Sequence, residues 1–220
     1  MPKPIVLLII SILLFASIRH FTGFTRSTSE AFVGGEMALS HEPVQSLLSA
    51  PELAASITLE HADMIWQMFP QAEYRIAARV LQSTRYDDWQ AVFTPIDLAL
   101  GWGKIGEPPI DKWIDWQQSE RWYYYRLHRR LGKTPFPRDY VVQHSANVHV
   151  IPANANIAAG LQYLQVNDLV FMEGMLVNVE VNNGYTVRKY STSLTRADKG
   201  DASCEIMYVE RLVTKGFDYR

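Results

Sequence analysis

The sequence predicts a β-rich α+β domain. The expected form is a small curled antiparallel sheet or a partly open, OB-like β-barrel with a few short helices, preceded by an N-terminal membrane helix. Three observations predict it. Asn182-Asn183-Gly184 separates two runs that alternate polar and apolar residues, and Asn-Gly favours the primed turns that match strand twist. Residues 73–81, EYRIAARVL, alternate with the period of two that lays one strand face on a core. Residues 4–18, PIVLLIISILLFASI, carry no charge, a composition suited to hydrocarbon.

The apolar run comes first in the chain. Fifteen helical residues span about 22 Å, short of the roughly 30 Å hydrocarbon core, but Phe21, Phe24 and a snorkelling Arg19 extend it. A signal-peptide cleavage site wants small residues two positions apart, whereas Leu14 and Phe15 stand before Ala16 and Ser17. Residues 1–20 therefore read as an uncleaved signal anchor in a bacterial inner membrane, single-pass, with the domain on the periplasmic side. Residues 21–40, rich in Thr, Ser and Gly, read as a linker, and residues 41–220 as one domain.

Within that domain, residues 49–69 read as short helices, with Met64, Ile65, Met68 and Phe69 making an apolar face. Residues 73–81 follow as a strand. Residues 91–100 begin extended, but Pro95 keeps them from being a regular central strand throughout. Residues 113–127 carry aromatics on both strand faces, and residues 132–137 break that run. Residues 139–151 look extended, and residues 153–164 look helical with Asn154 as N-cap. A strand over 167–181 has Gly174 where it would bend or bulge. Residues 185–194 return as its partner, and residues 204–213 add another strand after the polar loop 195–203.

Composition narrows the function classes. Hydrophobic residues make up 48% and charged residues 20%, an ordinary globular balance. A net charge of −2 from 21 basic and 23 acidic side chains gives no reason to expect nucleic acid as a partner. The single cysteine, Cys204, excludes an intramolecular disulfide and a zinc cage of Cys-x-x-Cys spacing. It shares a strand face with Ile206 and Tyr208, and reads as a small buried hydrophobe sooner than as a nucleophile. No cofactor motif and no metal site is read.

Candidate chemistry is sparse. His144 and His149 lie five apart, so on a strand they point to opposite faces and do not share a metal; Ser145 beside His144 makes no triad. Asp97 sits in TPIDLALGWG, where a buried carboxylate requires a partner. Arg75, Arg79 or His144 could supply it, either as a structural salt bridge or as an Asp-His pair in a cleft. The catalytic candidates are thus Asp97, His144 and His149. Residues 121–138, RWYYYRLHRRLGKTPFPR, hold six Lys or Arg residues and no acid. Arg121, Trp122, Tyr124, Arg126, Arg129, Arg130 and Lys133 form the candidate binding set, for stacking and phosphate contacts or for anionic lipid. The alternative is a strand with core aromatics followed by a solvated basic loop. Residues 192–201 read as a polar loop without the spacing of an EF-hand.

The anchor, the segment at residues 94–103, Arg121-Trp122-Tyr123-Tyr124, HSANVHVIPA at 144–153, and SLTRAD at 193–198 with Cys204-Glu205 together resemble a family of uncharacterised proteobacterial membrane-anchored envelope proteins. The resemblance spans most of the chain, implies an envelope setting, and transfers no activity, cofactor or site. This chain departs from the pattern at residues 198–203, DKGDAS, where similar sequences carry more glycine. The expected function is a membrane-tethered extracytoplasmic interaction or ligand-binding module, an accessory of an envelope assembly with a membrane-protein partner. A hydrolase using an Asp/His site, with or without a metal, is the alternative.

Overall fold

The computed structural model describes residues 39–61, 63–108, 110–128, 136–196 and 203–220. The expected anchor, nearly all of the linker, and Arg129, Arg130 and Lys133 lie outside the described residues. No helix among the described residues is long and apolar enough to cross a membrane.

In chain order the elements are β1 (Val44–Leu47), β2 (Ile57–His61), β3 (Met64–Arg85), β4 (Ile96–Gly101), β5 (Ile114–Ser119), β6 (Trp122–Leu127), α1 (Arg138–Gln143), β7 (Ser145–Pro152), α2 (Ala155–Gln162), β8 (Leu169–Asn182), β9 (Val187–Tyr190), β10 (Glu205–Thr214) and β11 (Phe217–Tyr219). The main sheet runs β1-β3-β4-β7-β10-β8-β9, and β3 also pairs with β8. Strands β3, β4, β7, β10 and β8 therefore close a near-ring. The sheet is mixed, not antiparallel as expected, because β7 and β10 pair in parallel. The helix α2 and strand β8 between β7 and β10 supply the long crossover that a parallel pair needs.

Alternation in these strands separates two faces. Ile96, Leu98 and Leu100 of β4, Ala146, Val148 and Val150 of β7, and Met207 and Val209 of β10 point into one core with Tyr74, Ile76 and Trp102. Each fully buried Leu or Val there stabilises the ring by about 1.5–3 kcal/mol. The opposite face of β4 and β7 carries Asp97, Ala99, Asn147 and His149. It is covered by the β5–β6 hairpin, whose Trp116, Tyr123 and Tyr125 pack on a second cluster around Ala99, Ile105 and Ile114. The aromatic alternation of residues 113–127 is this cover.

Several expectations change. Residues 49–69 hold only one 3-10 turn (Pro51–Leu53) before β2 and the start of β3; the apolar residues read as a helix face pair in register with β2 and β8. Residues 139–143 are helical, and the strand begins at Ser145. The partner of β8 is only Val187–Tyr190, across a four-residue loop in which Asn183 Oδ1 accepts from Tyr185 N and Thr186 N. Asn154 caps α2 as read, accepting from Asn156 N and Ile157 N. Gly174 faces the bulge between Val209 and Arg211, where an added Cβ would meet Tyr208 O at 2.0 Å.

The hairpin turn is the largest omission of the sequence reading. Glu120 and Arg121 both have positive φ, 53° and 70°, which joins β5 to β6 in the tight manner usually reserved for Asn-Gly.

Candidate functional site

Asp97 and His149 are register partners across β4 and β7, so strand pairing itself brings them together on the outer face. Asp97 is fully buried, and its Oδ1 lies 2.9 Å from His149 Nδ1. Arg121 reaches the same oxygen at 3.4 Å. The guanidinium is fixed by Thr94 O at 2.7 Å, Thr94 Oγ1 at 2.8 Å and Asp88 at 2.7 Å, and it stacks over Tyr86. Burial, then the charge of Asp97, pushes the Tyr86 hydroxyl up to about 12. The positive φ of Arg121 turns its side chain back beneath the hairpin; backbone of this kind is typically held in place only where the surroundings determine it.

On β7, Asn147 shares the face of His149. Its Nδ2 donates to Arg121 O at 2.9 Å and to Cys204 Sγ at 3.4 Å, while Gln118 Nε2 donates to its Oδ1 at 2.7 Å. Cys204, 7% exposed, stands just before β10 and lines the same cavity as His149. Burial alone would lower the His149 pKa, but the contacts with Asp97 and Cys204 and their charges outweigh it and push it up to about 9. The raised value belongs to an imidazole set between a buried carboxylate and a cysteine.

These groups open into a cavity of about 620 Å³, within the range of small-ligand sites. Its walls are Gln90, Phe93 and Thr94 from the loop before β4, the hairpin turn with Arg121 and Trp122, residues 189–191 at the end of β9, and His149, Cys204 and Ile206.

The sequence-predicted residues therefore divide. Asp97 and His149 come together with Arg121, and Trp122 lines the cavity. His144 does not join them: it caps α1, stacks on Tyr140 and pairs with Glu42 at 3.2 Å. The partners foreseen for Asp97 are also corrected, since Arg79 is spent on Gly106 O and Asn167 O. Ser145 donates to Val141 O. Tyr124 is exposed on the hairpin's outer side, and Arg126 is an exposed partner of Asp115, which also meets His128 at 2.6 Å. Hydrogen bonds from Arg126 and then His128 hold the Asp115 carboxyl below its ordinary value. No group of His, Cys, Asp or Glu suited to a metal ion occurs among the described residues.

Sequence reasoning missed Cys204, Asn147, Thr94 and Gln118 as members of the site. The one signal was Asp97 itself, an acid among apolar neighbours. Comparison with protein-family models, curated proteins and solved structures finds no match.

Proposed function

We propose that the protein is a membrane-tethered, extracytoplasmic ligand-binding domain built on an OB-type barrel, and that its ligand is small and carries an anionic group. Numbering the ring strands β3, β4, β7, β8 and β10 as one to five, their spatial order is 1-2-3-5-4-1, the Greek-key order of OB barrels. Such barrels take ligands over strands two and three, between the loop after strand one and the connection from strand four to five. The observation that carries the reading is the cavity at that place, with Arg121, Lys189 and the cationic His149 on its walls beside Phe93, Trp122 and Tyr190. The apolar, uncharged residues 4–18 support the tether, and a membrane-protein partner in an envelope assembly follows from that setting.

A screen of carboxylate and phosphate-ester fragments against neutral isosteres, by ligand-observed NMR on the full-length protein in mild detergent, tests this. Anionic fragments should bind preferentially, and Lys189→Gln should weaken them several-fold. Equal retention of charged and neutral fragments would overturn it. For the partner, crosslinking at native expression should recover a second membrane protein, and a lone monomer would count against the assembly role.

The Asp97–His149 contact favours a second reading, a hydrolase. A carboxylate that holds an imidazole at the wall of a cavity is the orienting half of a general-base site.

A further inference from the structure

We infer that Cys204, His149 and Asp97 form one nucleophilic unit that accepts an acyl group from an ester or thioester seated in the cavity. This deepens the hydrolase reading and rests on the cavity being a ligand site. Three placements carry it. Cys204 and His149 line the same cavity, and His149 on β7 is the register partner of Ile206 on β10, two residues after Cys204. The same imidazole has its Nδ1 2.9 Å from a carboxylate with no exposure to solvent. Asn147 donates to the sulfur at 3.4 Å, its amide fixed by Gln118. A cysteine that only fills space requires none of these polar neighbours, whereas acid, imidazole and sulfur in series are what an activated thiol requires.

Facing His149 and Cys204 are Asp97 from β4, Glu120 and Arg121 from the hairpin turn, and Lys189 from β9. Arg121 pairs with Asp88 at 2.7 Å and Lys189 with Glu180 at 2.5 Å. In the reacting form of the unit the Cys204 proton rests on His149. The Cys204 sulfur adds to the acyl carbon, the bond from that carbon to the leaving oxygen or sulfur breaks, and the leaving group takes the His149 proton. Neutral His149 then takes a proton from water as the water oxygen adds to the Cys204 thioester. The carbon–sulfur bond breaks, the carboxylic acid departs, and thiolate and imidazolium are restored. Asp97 acts through His149 as a positioning residue.

Cys204 is the only cysteine in the chain, so its chemistry can be read without interference. Full-length protein in mild detergent, mixed with p-nitrophenyl acetate, should release about one equivalent of p-nitrophenolate in a burst and carry one acetyl group, mapped to Cys204. The burst rate should fall roughly 100-fold in His149→Gln and in Asp97→Asn, and stay unchanged in Arg126→Gln. In Asp97→Asn the NMR titration midpoint of His149 should also drop, and the pH profile of the burst should move with it, a coupling that a purely structural Asp97 would not produce. No burst, acetylation of lysines only, or an unaltered rate in His149→Gln overturns the inference. Should a variant fail to fold, iodoacetamide decides on the wild type: Cys204 should react faster in the native protein than in urea at pH 7, whereas a merely buried cysteine reacts more slowly when folded. Loss of the burst with fragment binding retained overturns this inference alone; loss of both overturns the cavity as a ligand site.

Discussion

Asp97 and Glu205 are both carboxylates with no exposure to solvent, each paired with one arginine, and each leaves one buried oxygen without a hydrogen bond. Their surroundings differ. Glu205 lies on the face of β10 that carries Met207 and Val209 into the ring, and it pairs with Arg196, whose guanidinium sits over Trp102. Nearby, burial first, opposed by Arg196 and aided by Glu42, pushes Tyr74 up to about 12. Asp97 lies on the outward face, 2.9 Å from His149 at the wall of a cavity that Cys204 also lines. Cys204 and Glu205 are consecutive, so strand alternation sends one toward the cavity and the other toward the core. A buried ion pair alone therefore marks no site; the Asp97 pair differs in reaching an open volume.

The sharpest contrast should be in alkali. The folded His149 pKa of about 9 stands above its ordinary 6.5, so the stabilisation it brings is fully present below pH 6.5 and is lost as pH rises through 9. The total is about 3 kcal/mol. Urea denaturation at pH 6, 8 and 10 should show this decline in the wild type and in Glu205→Gln, and a flattened profile in His149→Gln. On the Glu205 side arginine keeps its proton throughout, so an alkaline decline that survived in His149→Gln would break the comparison.

A somewhat smaller effect is expected at Glu205. Glu205→Ala leaves Arg196 without its partner beside the core and should cost about 2–3 kcal/mol, at the low end for a broken buried pair because Arg196 is partly exposed. Chemical denaturation reads the loss, and the p-nitrophenyl acetate burst should stay within about twofold of wild type under native conditions, because the Glu205 side chain points away from the cavity. A burst lost in a folded Glu205→Ala would mean that the two carboxylates act together.

The smallest effect concerns the hairpin that holds Arg121 over Asp97. Glu120 occupies the left-handed region at φ 53°, which Asn tolerates better. Glu120→Asn should raise stability by about 0.5–1 kcal/mol in thermal or chemical denaturation. A loss of stability would show that Glu120 makes a contact at the cavity mouth worth more than the backbone strain it carries.

Much of the fold was legible where alternation and turn chemistry agreed. The β8–β9 hairpin, β10, the Asn154 cap and the central part of β3 follow from residues 73–81, 154, 169–190 and 204–213. The length of β3 was not, because its first half lies between β2 and β8 and is apolar on neighbours that also fit a helix face. The β5–β6 turn was hidden because Glu-Arg carries no turn signal; packing of Trp116 and Tyr123 against β4 and the body of the domain overrides local preference there. Of the site, Asp97 announced itself by its apolar context and His149 was one of two candidates. The choice between His149 and His144 depended on register, since only position 149 faces Asp97 across β4 and β7. Cys204 was legible as buried but not as paired, because its neighbours Asn147 and His149 arrive from a strand 55 residues or more away in sequence.

The coupling of Asp97, His149 and Cys204 is tested most directly by the titration of one imidazole. In histidine-labelled full-length protein in mild detergent, the resonance that disappears in His149→Gln identifies His149, and its shift against pH gives the midpoint. The relay requires a midpoint near 9 in the wild type, falling toward 6.5 in Asp97→Asn and moving again in Cys204→Ser. A wild-type midpoint near 6.5, or one indifferent to Asp97→Asn, would contradict it.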